Sequence, residues 1–146
     1  EAYLKNEEGF LDGVMPDMKQ SFKDMIETLD LVDNIRYIEC ALYSEALGVA
    51  GRCDLVAEFG GTLSIIDFKT SLKLKIAEWI EHYFEQATAY AMMYEELVGQ
   101  PINQIVIIIS SDHNDQPQVF IRDKEQYVQG LLDKIQMYKQ DNKYVP

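Results

Sequence analysis

The feature that most restricts the fold is a pair of strand-like runs joined by two glycines. Residues 52–59 and 62–69 are rich in apolar and β-branched side chains, and Gly60-Gly61 between them is a tight-turn signal. Two such runs around a short glycine turn predict a β-hairpin.

Charged side chains are expected to meet at one end of this hairpin. Asp67 and Lys69 are two positions apart, so in an extended strand both project from one face while Phe68 points to the other. Asp54 is expected at the start of the partner strand. Two carboxylates could then hold Mg²⁺ or Mn²⁺ beside an ammonium, the combination that phosphodiester hydrolysis requires.

The other segments have patterns typical of an α/β protein. An amphipathic helix is predicted over 17–31 and a strand over 34–43, and apolar spacings of three and four predict a helix over 77–98. The Ile/Val run 104–110 predicts a central strand buried on both faces. A polar loop, a short strand and a last helix are expected over 112–117, 118–122 and 123–140, with Asp123 capping that helix.

This order predicts one domain over residues 1–146, an α/β sandwich with a central mixed sheet flanked by helices. The two cysteines do not make a disulfide framework, which favours a reducing, intracellular compartment. No apolar run is long enough to cross a membrane, and none resembles a secretory signal. The net charge of −12 argues against a broad basic surface for nucleic acid.

Three short motifs occur in order and are more specific together than singly. They are Gly51-Arg52-Cys53-Asp54, Asp67-Phe68-Lys69-Thr70 and Gln86-Ala87-Thr88-Ala89-Tyr90. Over residues 39–90 this arrangement resembles the PD-(D/E)XK nuclease superfamily. It is most similar to the RecB-like exonuclease branch, which includes the mitochondrial genome maintenance exonuclease and phage exonucleases. The implied fold is restriction-endonuclease-like.

The resemblance implies the catalytic roles. Asp54 and Asp67 would bind the catalytic Mg²⁺ or Mn²⁺, the Phe68 carbonyl would add a ligand, and Lys69 would be the catalytic lysine.

The resemblance also implies residues that approach the substrate. Gln86 and Tyr90, four positions apart and therefore on one helical face, would approach the DNA strand or the active site. Arg52 and Thr70, beside the acidic motifs, are further candidate substrate-binding residues. Glu39, on the preceding strand, could also point towards the site.

The family usually supplies a histidine from an N-terminal helix, shortly before a segment like residues 1–4. The chain begins with Glu1, so we expect that its domain is truncated at the N-terminus and that this histidine precedes it.

The resemblance implies a metal-dependent deoxyribonuclease, acting as an exonuclease on single-stranded DNA ends in repair, recombination or replication. A helicase or recombination protein is a possible partner. The cytoplasm is the expected location, that of the host if the chain is phage-encoded, and the mitochondrial matrix stays open. The alternatives are a catalytically inactive nuclease fold that binds nucleic acid or protein, and a structure-selective endonuclease.

Several residues also have plain structural interpretations. A single Gly-x-x-Asp or Asp-x-Lys is usually a turn or an exposed ion pair. Tyr90, like its aromatic neighbours, is more often packed in a core. Lys73 and Lys75 could touch phosphate or belong to a solvated loop. We expect His82 and His113 at the surface, Cys53 in the core, and an exposed helix face formed by Glu78, Glu81 and Glu85.

Overall fold

A computed structural model describes residues 27–111 and 114–142 of the chain. Residues 27–29 are helical, and a short 3-10 turn, Ala77–Trp79, precedes the first long helix. The main elements within these ranges are β1 (Val32–Ser44), β2 (Val49–Phe59), β3 (Thr62–Ser71), α1 (Glu81–Val98), β4 (Gln104–Ser111), β5 (Asn114–Asp123) and α2 (Glu125–Asn142).

The strands form one mixed, five-stranded sheet in the order β1-β2-β3-β4-β5. β2 is antiparallel to both of its neighbours, β1 and β3. β4 is parallel to β3 and antiparallel to β5. α1 connects β3 to β4, as a pair of parallel neighbours requires. The hairpin turns at Gly60 and Gly61, whose φ angles of 58° and 87° lie in the left-handed region that favours glycine.

α1 is stabilised by the stripe of apolar residues that it turns towards the sheet. Phe84, Ala87, Ala91 and Tyr94 recur at spacings of three and four, and all are buried. The helix ends at Gly99, which has a φ of 79° and donates its backbone N–H to Glu95 O at 2.8 Å. This left-handed glycine cap explains why α1 stops there.

Both faces of the sheet bury apolar side chains. The cluster towards α1 joins Val56, Ile65 and Ile107 to residues of the helix. A second cluster on the other face includes Leu55, Ile66 and Ile108. Strand β4 contributes to both clusters, and its residues 105–109 are at most 1% exposed. The prediction of a central strand buried on both faces is therefore confirmed.

The predicted α/β class, with a mixed sheet flanked by helices, is confirmed. The hairpin and the strand predicted over 34–43 are confirmed too, with β1, β2 and β3 each slightly longer than expected. Asp123 Oδ1 accepts a hydrogen bond from the Glu125 backbone N–H at 2.9 Å, in agreement with its predicted capping role.

Some boundaries were wrong. The helix predicted from residue 77 begins at Glu81, because Ala77–Trp79 forms a 3-10 turn instead. The loop predicted over 112–117 is shorter, since β5 already pairs with β4 at Asn114. Pro117 is tolerated within β5 because this is an edge strand. Of the helix predicted over 17–31, residues 17–26 lie outside the described residues, and β1 begins at Val32.

The prediction of an exposed acidic helix face is correct for Glu78 and Glu81 but wrong for Glu85. Glu85 is only 8% exposed, because α2 packs beside it and Lys134 Nζ approaches Glu85 Oε1 at 2.6 Å.

Neither α1 nor α2 is long and apolar enough to cross a membrane, and the same holds for every helix within the described ranges.

Candidate active site

Asp54 and Asp67 lie side by side on the two strands of the hairpin. The antiparallel register pairs Leu55 with Ile66, so one further step sets Asp54 opposite Asp67. Asp54 Oδ2 accepts a hydrogen bond from the Phe68 backbone N–H at 2.9 Å. The structure therefore brings together the two carboxylates of the motifs, although Asp54 lies within β2 and not at its start.

Asp67 is a buried carboxyl group that lies between a second carboxyl group, Asp54, and the Lys69 ammonium. It is 3% exposed. Burial first, and then the hydrogen bond with Asp54, raise its pKa from 3.8 to about 6, while Lys69 acts in the opposite direction. Asp67 Oδ2 lies 2.9 Å from Lys69 Nζ, yet among the described residues it receives no hydrogen bond of good geometry. A cation between the carboxylates would remove this deficit.

The Lys69 ammonium is held on several sides. Besides the contact with Asp67, Lys69 Nζ donates a hydrogen bond to Gln86 Oε1 at 2.9 Å. It also lies 4.9 Å from the centroid of the Tyr83 ring, within the range of a cation–π contact. Its side chain remains 23% exposed, so the charge is fixed in position and still reachable.

Gln86 and Tyr90 connect this lysine to the far side of the site. Gln86 Nε2 donates to Tyr90 Oη at 3.0 Å, which leaves Gln86 Oε1 facing Lys69. The Tyr90 ring is 6% exposed, and it lies so close to Gly51 that a β-carbon there would be 2.7 Å from Tyr90 Cε1. The three motifs therefore meet in one cluster of contacts.

The remaining predicted substrate-binding residues lie at the surface. Arg52 Nη2 contacts Glu39 Oε2 at 3.1 Å, and both side chains are largely exposed. Glu39 therefore points towards Arg52. This contact gives no support to the expectation that Glu39 points towards the site. Thr70 is exposed and directly follows Lys69 in β3.

The donor set of this site fits a divalent cation. Carboxylates and backbone carbonyls are the hard oxygen ligands that Mg²⁺ prefers, and Mg²⁺ usually keeps several waters. Among the described residues no group of three or more His, Cys, Asp or Glu comes together, so within these ranges the side-chain donors are Asp54 and Asp67. Phe68, whose carbonyl is the further candidate ligand, directly follows Asp67 in the chain. The pairing of two adjacent carboxyl groups, of which Asp67 is buried, is the observation that favours a bound cation.

Two residues of the site were not found from the sequence. Tyr83, an aromatic neighbour of Tyr90, was expected in core packing more often than in base stacking, and Gly51 was noted only as part of a motif. No local pattern reveals either contact, because each joins residues that are far apart in the chain. His82 is exposed at the surface, as predicted, Cys53 is buried as predicted, and His113 lies outside the described residues.

The sequence profile of the PD-(D/E)XK nuclease superfamily matches residues 7–142. This match spans nearly the whole chain of 146 residues, and the motifs of the hairpin and α1 lie within it. The chain therefore belongs to the PD-(D/E)XK nuclease superfamily. No curated protein matches it in sequence.

A solved structure shows a similar fold. A protein from Eubacterium rectale described as a "putative exonuclease" is 12% identical, with a TM-score of 0.54, and the match covers 90% of this chain and 56% of that one. A second structure, of the protein SSO0001, is 15% identical with a TM-score of 0.42, covering 84% and 58%. The chain spans a little over half the length of these proteins, and at such identities the likeness concerns the fold alone.

Proposed function

We propose that this chain is the catalytic domain of a metal-dependent deoxyribonuclease, an exonuclease of the RecB-like branch that acts on single-stranded DNA ends in repair, recombination or replication. The observation that carries the proposal is the buried Asp67 carboxylate, next to Asp54 and 2.9 Å from the Lys69 ammonium. Membership of a nuclease superfamily supports the reaction class. The structural likeness to the protein described as a "putative exonuclease" favours an exonuclease over an endonuclease.

Asp54, Asp67 and the Phe68 carbonyl are the groups we assign to the metal. When bound, Mg²⁺ or Mn²⁺ polarises the scissile phosphate and lowers the pKa of a water, which makes that water a better nucleophile. Because Asp54 is fixed by the Phe68 N–H, the two carboxylates are held in place before a metal binds. This preorganisation reduces the rearrangement that metal binding would otherwise require.

Lys69 supplies a fixed positive charge beside the carboxylates. Its ammonium has three donors, and Gln86 Oε1 accepts one of them. A second faces Asp67 Oδ2 at 2.9 Å, and the third is available to the attacking water or to a phosphate oxygen, whose negative charge grows in the transition state. Gln86 and the Tyr83 ring keep the ammonium from turning towards solvent.

We assign Tyr90 to supporting Gln86, because its ring is buried and its hydroxyl accepts the Gln86 amide. Arg52 and Thr70 are exposed and are the groups we assign to phosphates of the DNA strand, since guanidinium and hydroxyl groups commonly contact phosphate oxygens.

The test is nucleotide release from 5′- and 3′-labelled linear single-stranded DNA, with Mg²⁺, with Mn²⁺ or with EDTA. The native chain is compared with Lys69→Met, and Lys139→Met, which removes an exposed charge on α2 outside the site, is the control. We expect metal-dependent release that falls about 100-fold or more in Lys69→Met and is unchanged in Lys139→Met.

Circular single-stranded DNA tests the exonuclease assignment. An exonuclease leaves it intact, whereas cleavage of the circle would identify an endonuclease. If the chain binds DNA but releases nothing with either metal, the enzyme proposal fails and an interaction module on a nuclease fold takes its place.

A further inference from the structure

The segment over residues 72–79, which follows the catalytic strand, presents large apolar side chains to solvent. Leu72 is 69% exposed, Leu74 53%, Ile76 48% and Trp79 66%. Lys73 and Lys75 alternate with these residues. A soluble surface seldom carries so many exposed apolar side chains in one stretch unless they contact a partner.

The backbone of this segment is fixed although it is neither helix nor strand over 72–76. The Gln118 side chain of β5 accepts a hydrogen bond from the Lys75 N–H and donates one to the Lys75 carbonyl, each at 2.9 Å. The hydroxyls of Ser71 and Ser111 both donate to the Lys73 carbonyl, at 2.6 and 3.4 Å. The exposed side chains are therefore displayed on a rigid support.

The charge of the segment differs from that of the chain as a whole. The chain has 25 acidic residues and a net charge of −12, yet no acidic residue occurs from Phe68 to Ala77, a stretch that holds Lys69, Lys73 and Lys75. Within the described residues, the ammonium groups of Lys73 and Lys75 form none of the ion pairs. Residues 72–79 contain these two lysines and one acidic residue, Glu78, so the segment is cationic within an acidic chain and complements a polyanion.

We propose that residues 72–79 bind the single strand of DNA that enters the active site, with Trp79 stacked on a base and Lys73 and Lys75 at phosphates. The substrate class rests on the function proposed above. The segment starts three residues after Lys69 and leads into α1, which carries Gln86, so a strand held here continues towards the scissile phosphate. Exposed aromatic rings with nearby lysines are the usual means of holding unpaired bases.

A second copy of the chain is a poorer occupant of this surface. Two chains of net charge −12 repel each other, and lysines are depleted from interfaces between proteins. A single strand offers both the phosphates that attract the lysines and the unpaired base faces that a duplex hides.

The experiment uses Trp79 as its own reporter, because it is the only tryptophan of the sequence. The chain is titrated with short oligo(dT) in EDTA, which prevents cleavage, while tryptophan emission is recorded. We expect saturable quenching that weakens with salt, and little quenching by a blunt duplex of equal length.

Variants separate the two kinds of contact, with affinities measured from the anisotropy of labelled oligo(dT). Trp79→Leu should weaken binding about tenfold or more, and Trp79→Phe much less, because a smaller ring still stacks. Lys73→Gln and Lys75→Gln should each reduce the slope of log affinity against log salt by about 0.7. Lys139→Gln, which removes a charge from α2, should leave the slope unchanged.

The outcomes distinguish this proposal from the catalytic one. Lys69-dependent cleavage with no quenching, and with a KM unaffected by Trp79→Leu, would overturn the binding proposal alone. Quenching and salt effects without any cleavage would support the binding segment while the catalytic proposal fails. If Trp79 emission shifts with protein concentration and light scattering shows a dimer in the absence of DNA, the segment is an interface between copies and the proposal is overturned.

Discussion

The Tyr90 ring lies against the backbone of Gly51, where any β-carbon would come within 2.7 Å of Tyr90 Cε1. This contact holds Tyr90 between α1 and β2. Tyr90 Oη accepts a hydrogen bond from Gln86 Nε2 at 3.0 Å. Gln86 Oε1 in turn accepts a hydrogen bond from Lys69 Nζ at 2.9 Å. A glycine in one motif thereby influences the lysine of another, although no direct contact links them.

Gly51→Ala should destabilise the protein by about 1–3 kcal/mol, because the added methyl group must push the Tyr90 ring aside. Gly130→Ala is the matched control. Among the described residues its β-carbon would meet only Glu85 Oε2, at 3.8 Å, and alanine within α2 should stabilise the fold by about 0.5–1 kcal/mol. Urea unfolding measures both changes. The double variant Gly51→Ala with Tyr90→Leu should lose less stability than the two single changes added together, and strict additivity would contradict the contact.

Tyr90→Phe should keep the packing against Gly51 but slow DNA hydrolysis about tenfold, because loss of one oriented hydrogen bond leaves the Gln86 amide free to turn. Stability should change little, by about 1 kcal/mol or less. The measurement is kcat alongside urea unfolding. An unchanged kcat would show that Tyr90 does not orient Gln86. A change confined to KM would indicate that Tyr90 binds the substrate directly.

The metal-free protein should lose stability as the pH rises from about 4 to about 6, because Asp67 has a higher pKa in the folded chain, about 6, than its ordinary value of 3.8. Its ionised form therefore opposes folding above that range. Asp67→Asn should remove this dependence and be more stable near pH 8 by about 3 kcal/mol at most.

Urea unfolding in EDTA at about pH 4 and about pH 8 checks the effect of Asp67→Asn. Added Mg²⁺ should stabilise the native protein near pH 8 and stabilise the variant much less. If the stability of the two proteins depends equally on pH, Asp67 is not the carboxylate whose ionisation opposes folding.

The thiol of Cys53 should be inert in the native protein. It is fully buried, and burial raises its pKa to about 12, so almost no thiolate forms near neutral pH. Cys40, which is partly exposed, should react first with a thiol reagent. Mass spectrometry after brief labelling at about pH 8 identifies the modified cysteine. Unfolding in urea should make both thiols accessible to the reagent. Labelling of Cys53 at the rate of Cys40 would contradict the burial.

Local patterns in the sequence predicted most of the fold and the side chains that lie together in the candidate site. The Gly60-Gly61 turn and the runs around it predicted the hairpin, and that hairpin places Asp54 beside Asp67. The spacing of apolar residues predicted α1 as well. These predictions succeed because the periods of strands and helices, and the conformations of glycine turns, depend on residues that are close in the chain.

Only the tertiary structure decided what those groups touch. Glu85 looks like an exposed helix residue until α2 packs beside it with Lys134. Likewise, Lys69 meets the Tyr83 ring, Tyr90 meets Gly51, and Gln118 holds the backbone of Lys75. Each of these contacts joins residues that are distant in sequence. They exist because the folded sheet and helices bring those side chains together, which a pattern of a few neighbouring residues does not encode.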